Sequence, residues 1–133
     1  MKKSTSYLPD TNTIIRYLIG DEPILSSKAK EFFNKIIDAD AKAVILESVI
    51  AECIYVLVKI YQVPKDKAAG RLIDILRYKG IVNKDRQELI HALTMFTKHS
   101  LDIVDCLLYA RAMAGGDQLF TFDVDLIKLT KKE

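Results

Sequence analysis

Residues 7–18, which read YLPDTNTIIRYL, decide the fold. A short, partly apolar segment leads to Asp10, and apolar residues at helical spacing follow at once. We therefore expect Asp10 where a strand ends and a helix begins. In a parallel sheet this is the carboxyl edge, where open α/β folds bind their ligands. Asp is also a common helix N-cap, so Asp10 alone does not distinguish a ligand site from a cap.

The remaining chain alternates strand-like and helix-like segments. Strands are predicted at residues 4–9, 41–46, 81–83 and 119–122, and amphipathic helices fill the intervals and close the chain. The second strand is continuously apolar after Lys42, as expected for a strand that is covered on both faces. This alternation predicts an α/β fold, with one domain over residues 1–133 and a mainly parallel four- or five-stranded sheet flanked by helices.

The composition is that of a globular domain. Of the 133 residues, 50% are hydrophobic and 29% are charged, which argues against disorder and suffices for one buried core. The net charge is +2, from 20 basic and 18 acidic residues. This balance neither requires nor excludes a nucleic-acid partner, because binding depends on where the charges cluster.

No segment predicts secretion or membrane insertion. Polar residues 4–6 follow the first lysines where a signal peptide needs an apolar region, and the apolar run at residues 53–58 is too short to span a bilayer. Cys53 and Cys106 do not make a disulfide framework, and together with the two histidines they show no zinc-ligand spacing. We expect a protein of the reducing cytoplasm, with both cysteines in core packing.

Four acidic residues are placed where they could meet. Asp10 and Asp123 follow predicted strands, whereas Glu52 and Asp105 lie in the first turns of predicted helices. All four would face one cleft at the carboxyl edge if the helix of Asp105 starts on the same side. Converging carboxylates repel one another unless a cation neutralises them, and oxygen ligands suit Mg²⁺ or Mn²⁺. Such an ion can polarise a phosphoryl oxygen and activate water, so we expect phosphodiester hydrolysis.

Each acid also has a structural explanation that stays open at this point. Asp10 can be a cap, and Asp123 lies in a turn, where Asp is common. Asp102 and Asp105 together form a frequent acidic helix start. Glu52 is the hardest to explain in this way, because it lies in the apolar stretch VIAECI, where a buried unpaired acid is costly. The joint pattern favours a site more strongly than any single residue does.

Four pieces of the chain, taken in order, resemble the PIN domain family, and most closely the ribonuclease toxins of VapBC toxin–antitoxin systems. The pieces are LPDTNTIIRYL at residues 8–18, SVIAECIYVL at 48–57, DIVDCLLYA at 102–110 and LFTFD at 119–123. A lone Asp-Thr-Asn is a weak match, whereas four such pieces in this order are fairly specific. They span nearly the whole chain, so the resemblance implies a single PIN-like domain.

The resemblance implies a metal-dependent endoribonuclease that acts as the toxin of a toxin–antitoxin pair. Its acidic site, which binds Mg²⁺ or Mn²⁺ and is catalytic, would consist of Asp10, Glu52, Asp105 and Asp123. Asn12 and Thr121 would support this site by orienting a carboxylate or a water. The resemblance also implies an RNA substrate, a homodimer, and inhibition by a small antitoxin protein that inserts a side chain or a helix into the cleft.

The chain departs from the family pattern in two places. Pro9 precedes Asp10 where the family usually has an aliphatic strand residue, so we expect a locally reshaped strand end. The sequence stops at Lys131-Lys132-Glu133, where relatives often continue into another strand. We therefore expect four strands more strongly than five. Neither departure removes a proposed metal ligand.

The sequence indicates the residues that contact the substrate less clearly than it indicates the acidic residues. The cations that could contact phosphates are Arg16, Arg111, Lys128, Lys131 and Lys132. A solvated charged face explains each of them equally well. Recognition of single-stranded RNA also needs groups that stack on bases, and the tyrosines at helical positions are more often packing residues.

Two other functions compete with the nuclease. The first is a PIN-fold protein with weak or no catalysis, which acts by binding a partner, because a fold does not guarantee a function. The second is a phosphatase of the haloacid-dehalogenase kind with Asp10 as nucleophile. That mechanism needs a second acid two residues later, where this chain has Asn12.

Overall fold

The structure is a computed structural model that describes residues 5–132, with Lys132 described by its backbone only. Nine regular elements and one π-helix follow one another in these residues. In chain order they are β1 (Ser6–Tyr7), α1 (Thr11–Ile19), α2 (Pro23–Ile37), β2 (Lys42–Ala43), α3 (Glu47–Tyr55), the π-helix Val56–Ile60, α4 (Lys65–Leu76), α5 (Arg86–Lys98), α6 (Ile103–Ala114) and α7 (Val124–Lys132). The fold is therefore helix-rich α/β.

The sheet is parallel and small. β1 pairs with β2, with Ser6 opposite Lys42 and Tyr7 opposite Ala43. A third segment joins through a parallel bridge between Ala43 and Ile81. The first three predicted strands are thus found side by side and parallel, although each is shorter than predicted, and residue 4 of the first lies outside the described residues. The small sheet leaves the number of strands, predicted as four or five, unconfirmed.

The fourth predicted strand, residues 119–122, does not form within the described chain, and no strand follows it there. Gly115 and Gly116 end α6 with positive φ angles of 99° and 93°, and the chain then runs without regular structure to Asp123. Phe120 and Phe122 are 85% and 87% exposed. Their rings contact each other edge to face, with centroids 5.4 Å apart, and do not cover the sheet. The alternation of the segment is strand-like, but its apolar side chains have no core surface beneath them.

The core lies between the helices and beneath the sheet. Helix α5 packs against α4 and α6, and α1 packs against α2 and α3. The largest fully buried side chains include Phe33 of α2, Leu72 of α4 and Tyr109 of α6. Cys53 and Cys106 are buried in this core and free of disulfide bonds, as predicted. None of the helices in the described chain has the length and apolarity needed to cross a membrane.

Gly80 joins the end of α2 to the sheet. Its N–H donates to the Ile36 carbonyl at 2.8 Å, and its carbonyl accepts from the Ala43 N–H at 2.9 Å. A Cβ at this position would lie 2.4 Å from the Ala41 oxygen and 2.6 Å from the Ile36 oxygen, both of them backbone atoms. Only glycine allows this approach, which fixes β2, and with it the start of α3, against α2.

The predicted long helix after β2 changes its geometry halfway. Residues Glu47–Tyr55 are α-helical, and Val56–Ile60 form a π-helix in which the Tyr61 N–H donates to the Val56 carbonyl at 3.0 Å. π-Helical turns are rare and occur frequently at functional sites. Here the turn directly follows the segment that carries Glu52.

Candidate active site

Asp10 is the N-cap of α1. Its backbone is extended, with φ −90° and ψ 175°, and its Oδ1 accepts hydrogen bonds from the Thr13 N–H at 2.9 Å and the Thr13 Oγ1–H at 2.8 Å. These two bonds hold the pKa of the Asp10 carboxyl below its usual value. The cap explanation is therefore correct, and it does not exclude a site, because the side chain remains exposed.

Glu52 is exposed, so the expectation of an acid buried among apolar residues is wrong. Its neighbours Cys53 and Ile54 take the buried face of α3, and the helical turn places Glu52 outside it. The Thr11 Oγ1–H donates a short hydrogen bond to Oε1 of Glu52. This bond ties the first turn of α1 to α3, and Thr11 is a site residue that the sequence did not indicate.

Asp105 lies in the first turn of α6 and is partly buried. Its carboxylate accepts no hydrogen bond from the residues that the structure describes. Burial raises the pKa of Asp105, and the negative charges of Asp123 and Asp102 raise it further. Asp102 is the N-cap of α6, as predicted, but its side chain makes no capping hydrogen bond.

Asp123 caps α7. Its Oδ1 accepts from the Leu126 N–H at 3.0 Å, and its own N–H donates to Thr121 Oγ1 at 3.0 Å. Thr121 therefore orients the backbone of Asp123 and does not contact its carboxylate. Asn12, the second predicted supporting residue, is exposed and lines a cavity together with Asp10.

Contacts link the four acids two by two. Thr11, which directly follows Asp10, donates a hydrogen bond to Glu52, and both acids lie near Cys53, whose thiol pKa is raised to about 12 by burial and by the charges of Glu52 and Asp10. Asp105 is close enough to Asp123 for the two charges to repel. Within residues 5–132, no three acidic, histidine or cysteine side chains come close enough to hold one metal ion together. A single cluster of four carboxylates is therefore not assembled, and the four-residue site remains a prediction.

A groove between α3 and α6 lies beside these pairs. It has a volume of about 610 Å³ and is lined by Ala51 and Tyr55 of α3 and by Asp102 and Asp105 of α6. The Asp105 carboxylate is the acid of the predicted site that faces this groove. Burial in apolar surroundings strengthens its repulsion with the neighbouring acids, because charges interact more strongly at low dielectric.

The donor set fits a hard divalent cation. All the predicted ligands are carboxylates, and Mg²⁺ is commonly bound through one or two carboxylates while it keeps several waters. Burial raises the pKa of Asp105 most, and repulsion from Asp123 and Asp102 raises it further; a cation beside Asp105 and Asp123 would relieve that repulsion.

The positively charged residues that the sequence singled out for phosphate contacts lie in different parts of the structure. Arg16 lines the cavity that contains Asp10. Arg111 pairs with Asp117 at 3.1 Å, and Lys128 lines a different cavity near His99. Lys131 is exposed, and the side chain of Lys132 lies outside the described residues. Lys28, which the sequence did not single out, joins Arg16 in the cavity of Asp10.

The fold is α/β, with Asp10, Asp105 and Asp123 at the starts of α1, α6 and α7. Glu52 lies in the middle of α3, because this helix begins at Glu47, and the prediction that places it in a first turn is wrong. Comparison with known families gives the family. The family model of the PIN domain matches residues 7–132, so the chain belongs to the PIN domain family. PIN domains are generally nucleases that use divalent metals, and many act in toxin–antitoxin systems. The family predicted from the four sequence pieces is confirmed, and the phosphatase alternative is set aside. Comparisons with curated proteins and with solved structures returned no match.

Proposed function

We propose that the protein is a Mg²⁺- or Mn²⁺-dependent endoribonuclease, the toxin of a VapBC-type toxin–antitoxin pair. Its metal site consists of Asp10, Glu52, Asp105 and Asp123. The observation that carries the proposal is the state of Asp105, a partly buried carboxylate that accepts no hydrogen bond from residues 5–132 and has two acids beside it. An acid held in this way is costly without a counter-charge, and perturbed carboxylates of this kind concentrate at functional sites.

The chain's own residues position the reacting groups. Thr13 fixes the Asp10 carboxylate, Thr11 fixes that of Glu52, and Thr121 fixes the backbone at Asp123. Each fixed carboxylate keeps oxygen lone pairs free for a further ligand. A divalent ion bound here supplies polarisation of the phosphoryl oxygen and activation of water for hydrolysis of the RNA phosphodiester.

The proposed antitoxin needs an apolar surface next to the acids, and the α3–α6 face offers one. A second groove of about 310 Å³, lined by Leu107 and Leu108, shares Ala51 and Val104 with the larger groove of Asp105. Val104 is 55% exposed and Leu108 is 47% exposed. We propose that a small antitoxin covers this face and reaches the acids from it. A homodimer and a cytoplasmic location belong to the same proposal.

The second candidate is a PIN-fold protein that acts through partner binding and has weak or no catalysis. The observation that favours it is that no three acidic, histidine or cysteine side chains of residues 5–132 lie close enough to hold one metal ion together. The two candidates differ in one respect that can be measured directly, namely whether the purified protein hydrolyses RNA when a divalent metal is supplied.

The test is cleavage of a mixed RNA pool by the antitoxin-free protein with Mg²⁺, with Mn²⁺ or with EDTA. Asp10→Asn and Asp105→Asn are assayed beside the wild type. The matched control is Asp66→Asn, which removes an exposed acid from the first turn of α4. We expect metal-dependent cleavage by the wild type and the control, and none by the two site variants. Folded protein that cleaves nothing with either metal supports the binding protein, and cleavage that survives both substitutions refutes the site.

A further inference from the structure

A third groove lies beside Asp10, between α1 and α2, and Glu52 is not among the residues that line it. Its volume is about 310 Å³. Asp10 and Arg16 line it from α1, and Leu25, Lys28 and Phe32 line it from α2. On α2 these positions are three and four residues apart, so they share one face of the helix. Arg16 is six residues beyond Asp10, about 9 Å along the axis of α1.

Arg16 is held in place at this groove. Its Nη1 pairs with Oδ1 of Asp21 at 3.0 Å, and Oδ2 of Asp21 accepts a hydrogen bond from the Tyr61 hydroxyl at 3.1 Å. A guanidinium fixed by one carboxylate still has donors left, since it carries five N–H groups. Arg16 can therefore contact a further anion without first losing the freedom of a long side chain.

Lys28 supplies an unpaired positive charge. Its side chain is exposed, and in the described part of the chain it takes part in no ion pair. Leu25, which is 47% exposed, and the half-buried ring of Phe32 lie on the same helix face. The groove thus combines an ammonium group with an apolar surface and begins at an acid of the proposed metal site.

We infer that the α1–α2 groove binds single-stranded RNA beside the scissile phosphate. Lys28 and Arg16 contact backbone phosphates, and Leu25 and Phe32 lie against a base or a ribose. Cations that follow the backbone together with apolar or aromatic surfaces under the bases are how single strands are bound without sequence readout. This inference rests on the proposed nuclease function, and it assigns the substrate a path that ends at Asp10.

RNA fits this groove better than an acidic peptide does. The groove reaches the Asp10 carboxylate, where a further anion is repelled unless it shares a metal ion with Asp10. Phosphodiesters are suited to this, since Mg²⁺ is typically bound between carboxylates and substrate phosphates.

The test measures RNA binding in the Asp105→Asn background, so that cleavage does not interfere. A fluorescein-labelled single-stranded RNA of mixed sequence is titrated with protein by anisotropy, with Mg²⁺ and with EDTA, at several salt concentrations. Lys28→Glu is compared with Lys30→Glu, which makes the same charge change at an exposed position of α2 outside the groove. Circular dichroism confirms that both variants are folded.

We expect Lys28→Glu to raise the Kd for RNA at least about tenfold and Lys30→Glu to change it less than about twofold. Lys28→Gln lowers the slope of log Kd against log salt by about 0.7, the value for one phosphate contact on a single strand. Equal effects of Lys28→Glu and Lys30→Glu overturn the inference. So does a poly-glutamate peptide that binds the wild type more tightly than the RNA does and loses its affinity with Lys28→Glu.

The inference and the proposed function fail in different ways. If Asp105→Asn abolishes cleavage while Lys28→Glu leaves RNA binding intact, the nuclease stands and the groove assignment is wrong. If no metal supports cleavage while Lys28→Glu selectively weakens RNA binding, the groove stands and the nuclease is wrong.

Discussion

The Asp10–Glu52 pair and the Asp105–Asp123 pair carry the same chemical groups, but the pKa values of Asp10 and Asp105 are shifted in opposite directions. Hydroxyl groups of α1 donate to both carboxylates of the first pair, and the pKa of Asp10 is lowered. In the second pair, burial and then repulsion from Asp123 and Asp102 raise the pKa of Asp105, while Asp123 accepts a hydrogen bond from the Leu126 N–H. Hydrogen bonds thus position both acids of the first pair. A cation bound at the second pair would offset the repulsion at Asp105.

The largest difference between the two acidic pairs is expected in RNA cleavage, for the variant Asp105→Asn. We expect cleavage to fall at least about 100-fold, which corresponds to about 2.7 kcal/mol in activation free energy. In EDTA the same variant is more stable than the wild type, because the substitution removes a repelled charge. Initial rates with Mg²⁺ and urea unfolding in EDTA measure the two effects. A variant that loses activity and stability together contradicts the comparison.

The next effect is on stability and belongs to the first pair. Asp10→Ala removes the N-cap hydrogen bond of α1 and lowers the free energy of unfolding by about 1 kcal/mol. Asp10→Asn keeps a capping oxygen, so we expect it to lose cleavage with little loss of stability. Urea unfolding of both variants tests this, and equal destabilisation by the two substitutions shows that the cap is not the cause.

A smaller effect is expected for Thr11→Val, which removes the hydroxyl that donates to Glu52. With Glu52 free to rotate, we expect cleavage to fall about threefold, or about 0.6 kcal/mol. Thr97→Val is the control, because the Thr97 hydroxyl donates to the Thr94 carbonyl of its own helix and Thr97 is not a residue of the proposed site. If the two variants cleave RNA at the same rate, the hydrogen bond from Thr11 to Glu52 does not contribute to catalysis.

The smallest effect is a difference in pH dependence in EDTA. The raised pKa of Asp105 means that its ionised form costs stability above that pKa, and the cost disappears as the pH falls through it. The stability advantage of Asp105→Asn therefore shrinks from pH 7 towards pH 4. The lowered pKa of Asp10 has the opposite sign, since its contribution is present above the unfolded value and is lost as the pH falls through the folded one. Urea midpoints measured across this range check both directions.

Local sequence patterns predict the helix starts and the burial of residues, because both depend on neighbouring residues along the chain. Asp10 and Asp102 were predicted as helix starts, and both are N-caps. The burial of Cys53 and Cys106 followed from helical spacing. The exposure of Glu52 is not predicted by its apolar sequence neighbours. Successive residues of a helix are rotated by about 100°, so an acid between buried residues can still face solvent.

Tertiary contacts account for the features that the sequence did not predict. Thr11 and Glu52 are 41 residues apart, and no local pattern indicates their hydrogen bond. Lys28 reaches the cavity of Asp10 only because α2 packs on α1. The strand predicted at residues 119–122 does not form for the same reason. Alternating apolar and polar residues are compatible with a strand, but a strand also needs a neighbour to pair with.

The exposed segment between α6 and α7 has a consequence for the lifetime of the protein. Phe120 and Phe122 project from chain without regular structure, and proteases with a hydrophobic specificity pocket cut after such aromatic residues in exposed loops. A single cut there breaks the covalent link between α6 and α7, and Asp123 is then held beside Asp105 only by the packing of α7, of which Leu126 is buried. Limited digestion thus weakens the proposed nuclease at its repelled pair, while Asp10, Glu52 and Asp105 stay in one fragment.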